Sequence, residues 1–335
     1  MAEVALACPL AAAGLAPFDA HPGELREHAA FQPWPADEYR HVRKIADAGA
    51  NNGKVFESVH LPTGSRCAVK MMSNSHVMRE GLTEDAKVDM GVSSFLAQNR
   101  SAYVDLGKNL PASSQAYQDE KYTYLVSELV SGGDLFERVV AERRLDERTA
   151  RKYAKQLIDG VASLHASGIA HRDISLENLL LGADDDVRII DFGLAVPIPA
   201  LDSADKRLRG AVGKPNYIAP EMFGDDYACR PVDVWAIGIT IFIMVSGRPP
   251  WIVASASGDQ PEYRKYSVGR KLPMGGDQYF RYFLSNGLEG YMKWTGMEGL
   301  FSNELLDLLK KLLVENPQER MTIEAARMHP WFEEA

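Results

Sequence analysis

Apolar residues along the chain fall into two regimes, alternating spacing in the first part and three-and-four spacing in the second. From Tyr39 to Met72, Val55 and Val59 flank Glu57 at period two, and Pro62-Thr63-Gly64-Ser65 reads as a turn before Cys67-Ala68-Val69-Lys70. A helix is expected over about Glu80 to Ala97, with strands near Ala102–Leu106 and Lys121–Ser127. After Ser131-Gly132-Gly133 the pattern turns helical. Asp146 is a natural N-cap for a helix in which Ala150, Tyr153, Ala154, Leu157, Ile158, Val161 and Leu164 recur on one face, and Gly168 would end it. Short strands to about Ile190 and helices near 231–246, 302–313 and 322–329 complete the reading. The expected class is α+β: a mostly β lobe over about 37–130 and a mostly α lobe over about 131–333, with a ligand cleft between them. Residues 1–36, rich in Ala and Pro without a sustained period, read as an N-terminal extension.

A chain of 335 residues buries a sizeable core. Its longest apolar run, Val234 to Val245, is too short for a membrane span and reads as a buried helix. The Ala-rich run Val4–Ala16 lacks a basic flank, against a signal peptide. A net charge of −9 argues against nucleic acid as partner, since phosphate backbones need a basic face. Cys8, Cys67 and Cys229 form no metal-binding spacing and fit reduced thiols in an intracellular, cytoplasmic setting, nuclear included. Composition says nothing about oligomeric state.

The chemistry sits in three short motifs: His171-Arg172-Asp173 with Asn178 five residues after the aspartate, Asp191-Phe192-Gly193, and Ala219-Pro220-Glu221. One named tripeptide arises by chance in about one in twenty-five chains of this length at average residue usage. Three in one order do not. The set resembles the signature of the protein kinase family over about Tyr39 to Phe332. That resemblance implies ATP and Mg²⁺ as cofactors and serine/threonine hydroxyls of proteins as acceptors.

By the same resemblance, Asp173 orients the acceptor hydroxyl and takes its proton, Asn178 and Asp191 are the metal ligands, and Lys70 holds the α- and β-phosphates. Ala48, Ala50, Gly53, Val55 and Ala68 would cover the nucleotide, Glu128 to Val130 would pair with adenine, and Asp134 would meet the ribose. Arg320 stands where the family pairs an arginine with Glu221, and Asp233-Val234-Trp235 where it anchors the catalytic loop. Gly132-Gly133-Asp134-Leu135-Phe136 and His329-Pro330-Trp331-Phe332 resemble the calcium/calmodulin-dependent group, although 253–299 is longer than that group usually has. The loop after Asp173 lacks the tyrosine-kinase pattern.

Four departures stand out. The glycine-rich loop keeps only Gly53 of its three glycines, with Ala48 and Ala50 at the other two positions, which predicts weaker nucleotide binding. The acidic helix partner of Lys70 is open among Asp89, Glu84 and Glu80, and an ungapped match puts Gly91 there. Ser175 replaces the lysine that serine/threonine kinases carry two residues past the catalytic aspartate, while Lys214 replaces the threonine that meets it. A swap of the two would return an ammonium to the γ-phosphate through Lys214; decay of both would leave a pseudokinase that binds or scaffolds. Ser127, small at the entrance to the back pocket, leaves room for bulky ligands. In the activation segment the sole hydroxyl is Ser203, between Asp202 and Asp205, so either its phosphate docks on Arg172 or the aspartates hold the loop unmodified.

Overall fold

The computed structural model describes residues 25–26, 29, 31–48, 53–77, 85–98, 109–110, 114–199 and 206–333. The strands expected near 102–106, the helix start near Glu80, and Ser203 with its flanking aspartates lie outside the described residues, as do Ala50 and the side chain of Ala48.

The first lobe is one six-stranded sheet in the order β1-β5-β6-β4-β3-β2. Its strands are β1 (Gln32–Pro33), β2 (Tyr39–Ala48), β3 (Gly53–His60), β4 (Ser65–Ser73), β5 (Ser114–Gln118) and β6 (Tyr122–Glu128). All neighbours are antiparallel except β1, which joins β5 in parallel with Gln32 opposite Tyr117. The period of two in β4 sends Cys67 and Val69 to the outer face and Ala68 and Lys70 to the inner one. On the outer face Trp34 stacks on Tyr124 at 4.0 Å and on Tyr39 at 4.8 Å, closing the apolar surface of Val69, Tyr117 and Val126. Residues 32–35, read from sequence as the end of an extension, are thus built into this sheet.

The single turn α1 (Asn74–Val77) and the helix α2 (Ala86–Gln98) accompany the sheet. Met90 of α2 packs with Met72, Ala116 and Leu125, which fixes the helix against the inner face. The observed α2 begins later than the helix expected from about Glu80.

The second lobe is helical. It holds α3 (Leu135–Glu142), α4 (Glu147–Ala166), α5 (Cys229–Ser246), α6 (Pro261–Ser267), α7 (Gln278–Trp294), α8 (Asn303–Leu312) and α9 (Ile323–Arg327). Asp146 caps α4, accepting from the Thr149 amide at 3.0 Å, and the apolar stripe from Ala150 to Leu164 is buried. Among the described residues α5 alone has the length and apolarity to cross a membrane; here it is the buried centre of the lobe, with Trp235, Ile237, Ile239 and Ile241 fully enclosed. The long region 253–299, left without helices by the sequence reading, contributes α6 and α7, the latter kinked at Gly287. Aromatic side chains around Trp251 (Trp235, Phe280, Phe283 and Tyr291) weld it to α5.

Between α4 and α5 the described chain runs through the strand pieces β7 (Ile169–Ala170), β8 (Leu179–Leu181), β9 (Val187–Ile189), β10 (Val196–Pro197), β11 (Arg207–Leu208) and β12 (Tyr227–Ala228), the last two paired with each other. β8 pairs with β9, and β10 returns to β7. This short weave carries Asn178 and Asp191 to the wall of the cleft.

Candidate active site

The loop after β7 is held from below by one carboxylate. Asp233 on α5 accepts the backbone amides of His171 at 2.9 Å and Arg172 at 2.7 Å, and the ring of His165 at 2.8 Å. Burial would raise its carboxyl, but the His165 bond and the nearby His171 hold it below the ordinary value. His171 accepts from the Asp173 amide through Nδ1 (3.2 Å), so Nε2 carries the proton and donates to Ile190 O at 3.1 Å. This ties the Asp173 loop to the strand end that precedes Asp191. Arg172 and Asp191 both adopt left-handed backbone, φ 64° and 65°. For non-glycine residues such conformations cost about 1–3 kcal/mol each and persist only where surrounding bonds over-determine them.

Lys70 reaches across from β4. Its Nζ lies 2.7 Å from Asp89 Oδ2 on α2 and 3.5 Å from Asp191 Oδ1. Of the acidic candidates named above, Asp89 makes this ion pair, while Glu80 and Glu84 lie outside the described residues. The other oxygen of Asp89 accepts the Phe192 amide at 3.1 Å, and the Asp85 amide donates to Gly193 O at 2.8 Å. One helix turn therefore grips both the lysine and the Asp191-Phe192-Gly193 segment. Lys70, with a smaller part from Lys214, keeps the Asp191 carboxyl below the usual carboxylate range against the opposing effect of burial.

Asn178 donates through Nδ2 to Asp173 O at 2.7 Å and Asp173 Oδ2 at 2.8 Å, which leaves its amide oxygen as an acceptor. Asp191 Oδ1 is buried without a hydrogen-bond partner. A carboxylate and an amide oxygen are the donor types Mg²⁺ takes, and two protein donors leave most of an octahedral shell to phosphate and water. Among the described residues no cluster of three or more His, Cys, Asp or Glu would hold a metal without such a ligand.

On the other side of Asp173 stands Lys214. Its ammonium is 3.1 Å from Asp173 Oδ2 and 2.8 Å from Ser175 Oγ, and its backbone amide donates to Asp173 Oδ1 at 3.2 Å. The lysine and hydroxyl that the family is expected to carry at 175 and 214 are thus both present, exchanged. Gly213 makes the approach feasible. At φ +94°, a Cβ there would lie 3.0 Å from Arg172 O and 3.1 Å from Asp173 Oδ1.

A cleft of about 700 Å³ opens between the lobes over these groups. Val55, Ala68, Ser127, Glu128, Val130 and Asp134 line it, together with Lys70, Asn178 and Asp191. Gly53 pairs with Ala48 at the base of the loop above. Asp134 also caps α3, accepting from the Glu137 amide at 2.7 Å. Leu180 and Ile190 complete the floor; the sequence reading missed them, although the apolar run after Asn178 marks the first. Also missed was Glu57, buried at the outer wall of the cleft between Arg66 and Arg43, the latter at 2.7 Å. Nothing but alternate spacing on three strands announces that trio.

Around the site, Glu221 and Arg320 form a two-pronged pair at 2.6 and 2.9 Å, with Arg320 fully buried over Trp235. Arg172 donates to Leu194 O at 2.8 Å and to Tyr227 at 3.1 Å. Tyr266 of α6 donates to Gly213 O at 2.6 Å under the guanidinium of Arg270, 4.0 Å from its ring. Region 253–299 therefore reaches the residue before Lys214.

The protein kinase domain family model matches residues 43–332. Among curated proteins, the chain is 35% identical over 225 residues to a serine/threonine-protein kinase CHK1 of Mycosarcoma maydis, covering 66% of this chain and 30% of that one. It is 29% identical over 282 residues to the CBL-interacting serine/threonine-protein kinase 24 of Arabidopsis thaliana, covering 83% of this chain and 54% of the relative. A probable serine/threonine-protein kinase fhkC of Dictyostelium discoideum matches at 30% over 307 residues, 90% of this chain and 45% of the relative. The chain spans between about a third and just over half of these relatives' lengths.

Proposed function

The chain belongs to the protein kinase family, and on that premise we propose that it is an active serine/threonine kinase that transfers the γ-phosphoryl group of ATP to hydroxyls of other proteins. Phosphoryl transfer asks little covalent chemistry of a protein and much positioning and charge neutralisation. Asp173 would accept the proton of a substrate hydroxyl as its oxygen attacks the γ-phosphorus. Lys70, braced by Asp89, holds phosphate oxygens as a point charge. Asn178 and Asp191 would hold Mg²⁺, which when bound neutralises charge developing between the β- and γ-phosphates. Lys214 supplies the ammonium that other members of the family place two residues past the aspartate.

One observation carries the reading toward activity rather than a silent scaffold: the 3.1 Å contact from Lys214 to Asp173 with Ser175 at 2.8 Å. Two positions drifting independently would have no reason to exchange chemistry and still meet. The test is phosphate incorporation from Mg-ATP into the full chain and into a generic basic protein, beside Asp173→Ala. Phosphoserine or phosphothreonine formed by the wild type alone is the expected result. Incorporation no greater than that of Asp173→Ala overturns it and leaves a nucleotide-binding scaffold.

A further inference from the structure

Asp89 is one methylene shorter than the glutamate usual in this role, about 1.5 Å of reach. It still closes on Lys70 at 2.7 Å, so α2 must stand close to the sheet. The reason lies on the opposite side of the helix. Gly91 follows Asp89 by two residues, about 200° around the axis, and so faces away from the cleft. There it meets the main chain of Leu25: a Cβ at Gly91 would lie 1.7 Å from the Leu25 carbonyl oxygen and 2.8 Å from its carbonyl carbon. Leu25 itself is fully buried in the same apolar cluster as Val88, Val92 and Phe95 of α2.

Further contacts tie this segment down. Arg26 pairs with Asp85, whose amide holds Gly193. Phe31 packs on the cluster of Met72 and Met90. Gln32 and Pro33 add β1 to the sheet, and the Trp34 amide donates to Gln118 O at 3.0 Å. The segment is anchored at one end in the sheet and at the other against the back of α2.

We propose that Leu25, Arg26 and Phe31 to Trp34 form a strap that presses α2 into the cleft, so that Gly91 and Leu25 are positioning residues for the Asp89–Lys70 pair. The missing side chain at 91 and the short one at 89 are two halves of one adaptation: the glycine lets the strap sit close, and the strap lets an aspartate do a glutamate's work. The inference rests on the kinase reading only for its catalytic consequence; the geometry it describes is independent of it.

The test uses the full chain with the contact broken from each side, by Leu25→Asp on the strap and Gly91→Ala on the helix. Each is expected to lower kcat about tenfold or more with a smaller change in KM for ATP. Adding Asp89→Glu, whose longer reach spans the withdrawn helix, is expected to recover at least half of the lost kcat in both variants. A general loss of folding would not respond to one methylene at 89. Unchanged kcat in Leu25→Asp, or no recovery with Asp89→Glu, overturns the proposal. Should the wild type transfer no phosphate, amide hydrogen exchange over residues 88–96 decides instead: faster exchange in both variants supports the strap, and unchanged exchange refutes it.

Discussion

Lys214 Nζ stands 3.1 Å from Asp173 Oδ2, reaching it from the segment after Gly213 and not from the loop that carries the aspartate. On the kinase reading proposed above, an ammonium at this point would neutralise charge at the migrating phosphoryl group wherever along the chain it originates. Removing such a fixed charge costs about 2.7–4 kcal/mol of transition-state stabilisation, or about 10²–10³ in kcat. Lys214→Ala is expected to lose that much in a steady-state assay. The double variant Ser175→Lys with Lys214→Thr, which restores the family's usual order, is expected to regain most of it. Full activity in Lys214→Ala would dismiss the exchange.

The glycine-rich loop sets a second expectation. Alanine at 48 and 50, where the family resemblance expects glycine, would stiffen a segment expected to approach phosphate closely. Ala48→Gly with Ala50→Gly is expected to lower the KM for ATP several-fold, roughly 1 kcal/mol of binding. Nucleotide titrations of wild type and variant decide it, and identical constants would show that the alanines are harmless.

What the sequence disclosed and what it hid follow a physical division. Asp173, Asn178 and Asp191 announce themselves because their spacing is fixed by short, bonded loops, and those loops are what the structure shows. The α4 cap at Asp146 was equally plain, being a local rule. The partner of Lys70 was not: Asp89 comes from a helix whose distance and rotation depend on packing against Leu25, far away in sequence. Helices α6 and α7 escaped because their aromatic residues serve clusters contributed by other parts of the chain: Tyr263 and Tyr266 of α6 pack on Phe223, and Phe280, Phe283 and Tyr291 of α7 on Trp251. The Lys214–Ser175 contact was legible only because both positions broke a pattern at once.

A third expectation concerns the pair of Arg320 and Glu221. Both side chains are largely out of water, the arginine completely. Breaking such a pair from one side leaves an uncompensated charge and costs about 3–5 kcal/mol. Arg320→Ala is therefore expected to lose this much in denaturant unfolding, a large share of a domain's stability. A loss under 1 kcal/mol would mean that water reaches Glu221.

Proton linkage gives the fourth. The Asp191 carboxyl is held below its ordinary value of 3.8 chiefly by Lys70. A depressed carboxyl contributes stability that is complete above the unfolded-state value and is lost as pH falls through the folded one. Lys70→Met is thus expected to lower the melting temperature by a constant amount between about pH 5 and 8, with the gap narrowing below about pH 4. A gap that widens on acidification would contradict the assignment.

Ser127 supplies the last. It faces Ala68 across the strand pair at the inner end of the cleft. Purine-like inhibitors with bulky substituents are expected to lose affinity at least tenfold in Ser127→Phe, about 1.4 kcal/mol. Equal affinity in competition binding would show that the space behind Ser127 is closed.

Asp233 gives the loop bearing Asp173 no private way of loosening. Its three bonds, to two consecutive loop amides and to the end of α4, originate in the most enclosed helix of the molecule. To free those amides the chain must open its own centre, so the cost of disordering the loop approaches that of unfolding the whole helical lobe. Mobility in this protein must then be sought in the first lobe, where α2 meets the sheet, while Asp173 stays as fixed as the core beneath it.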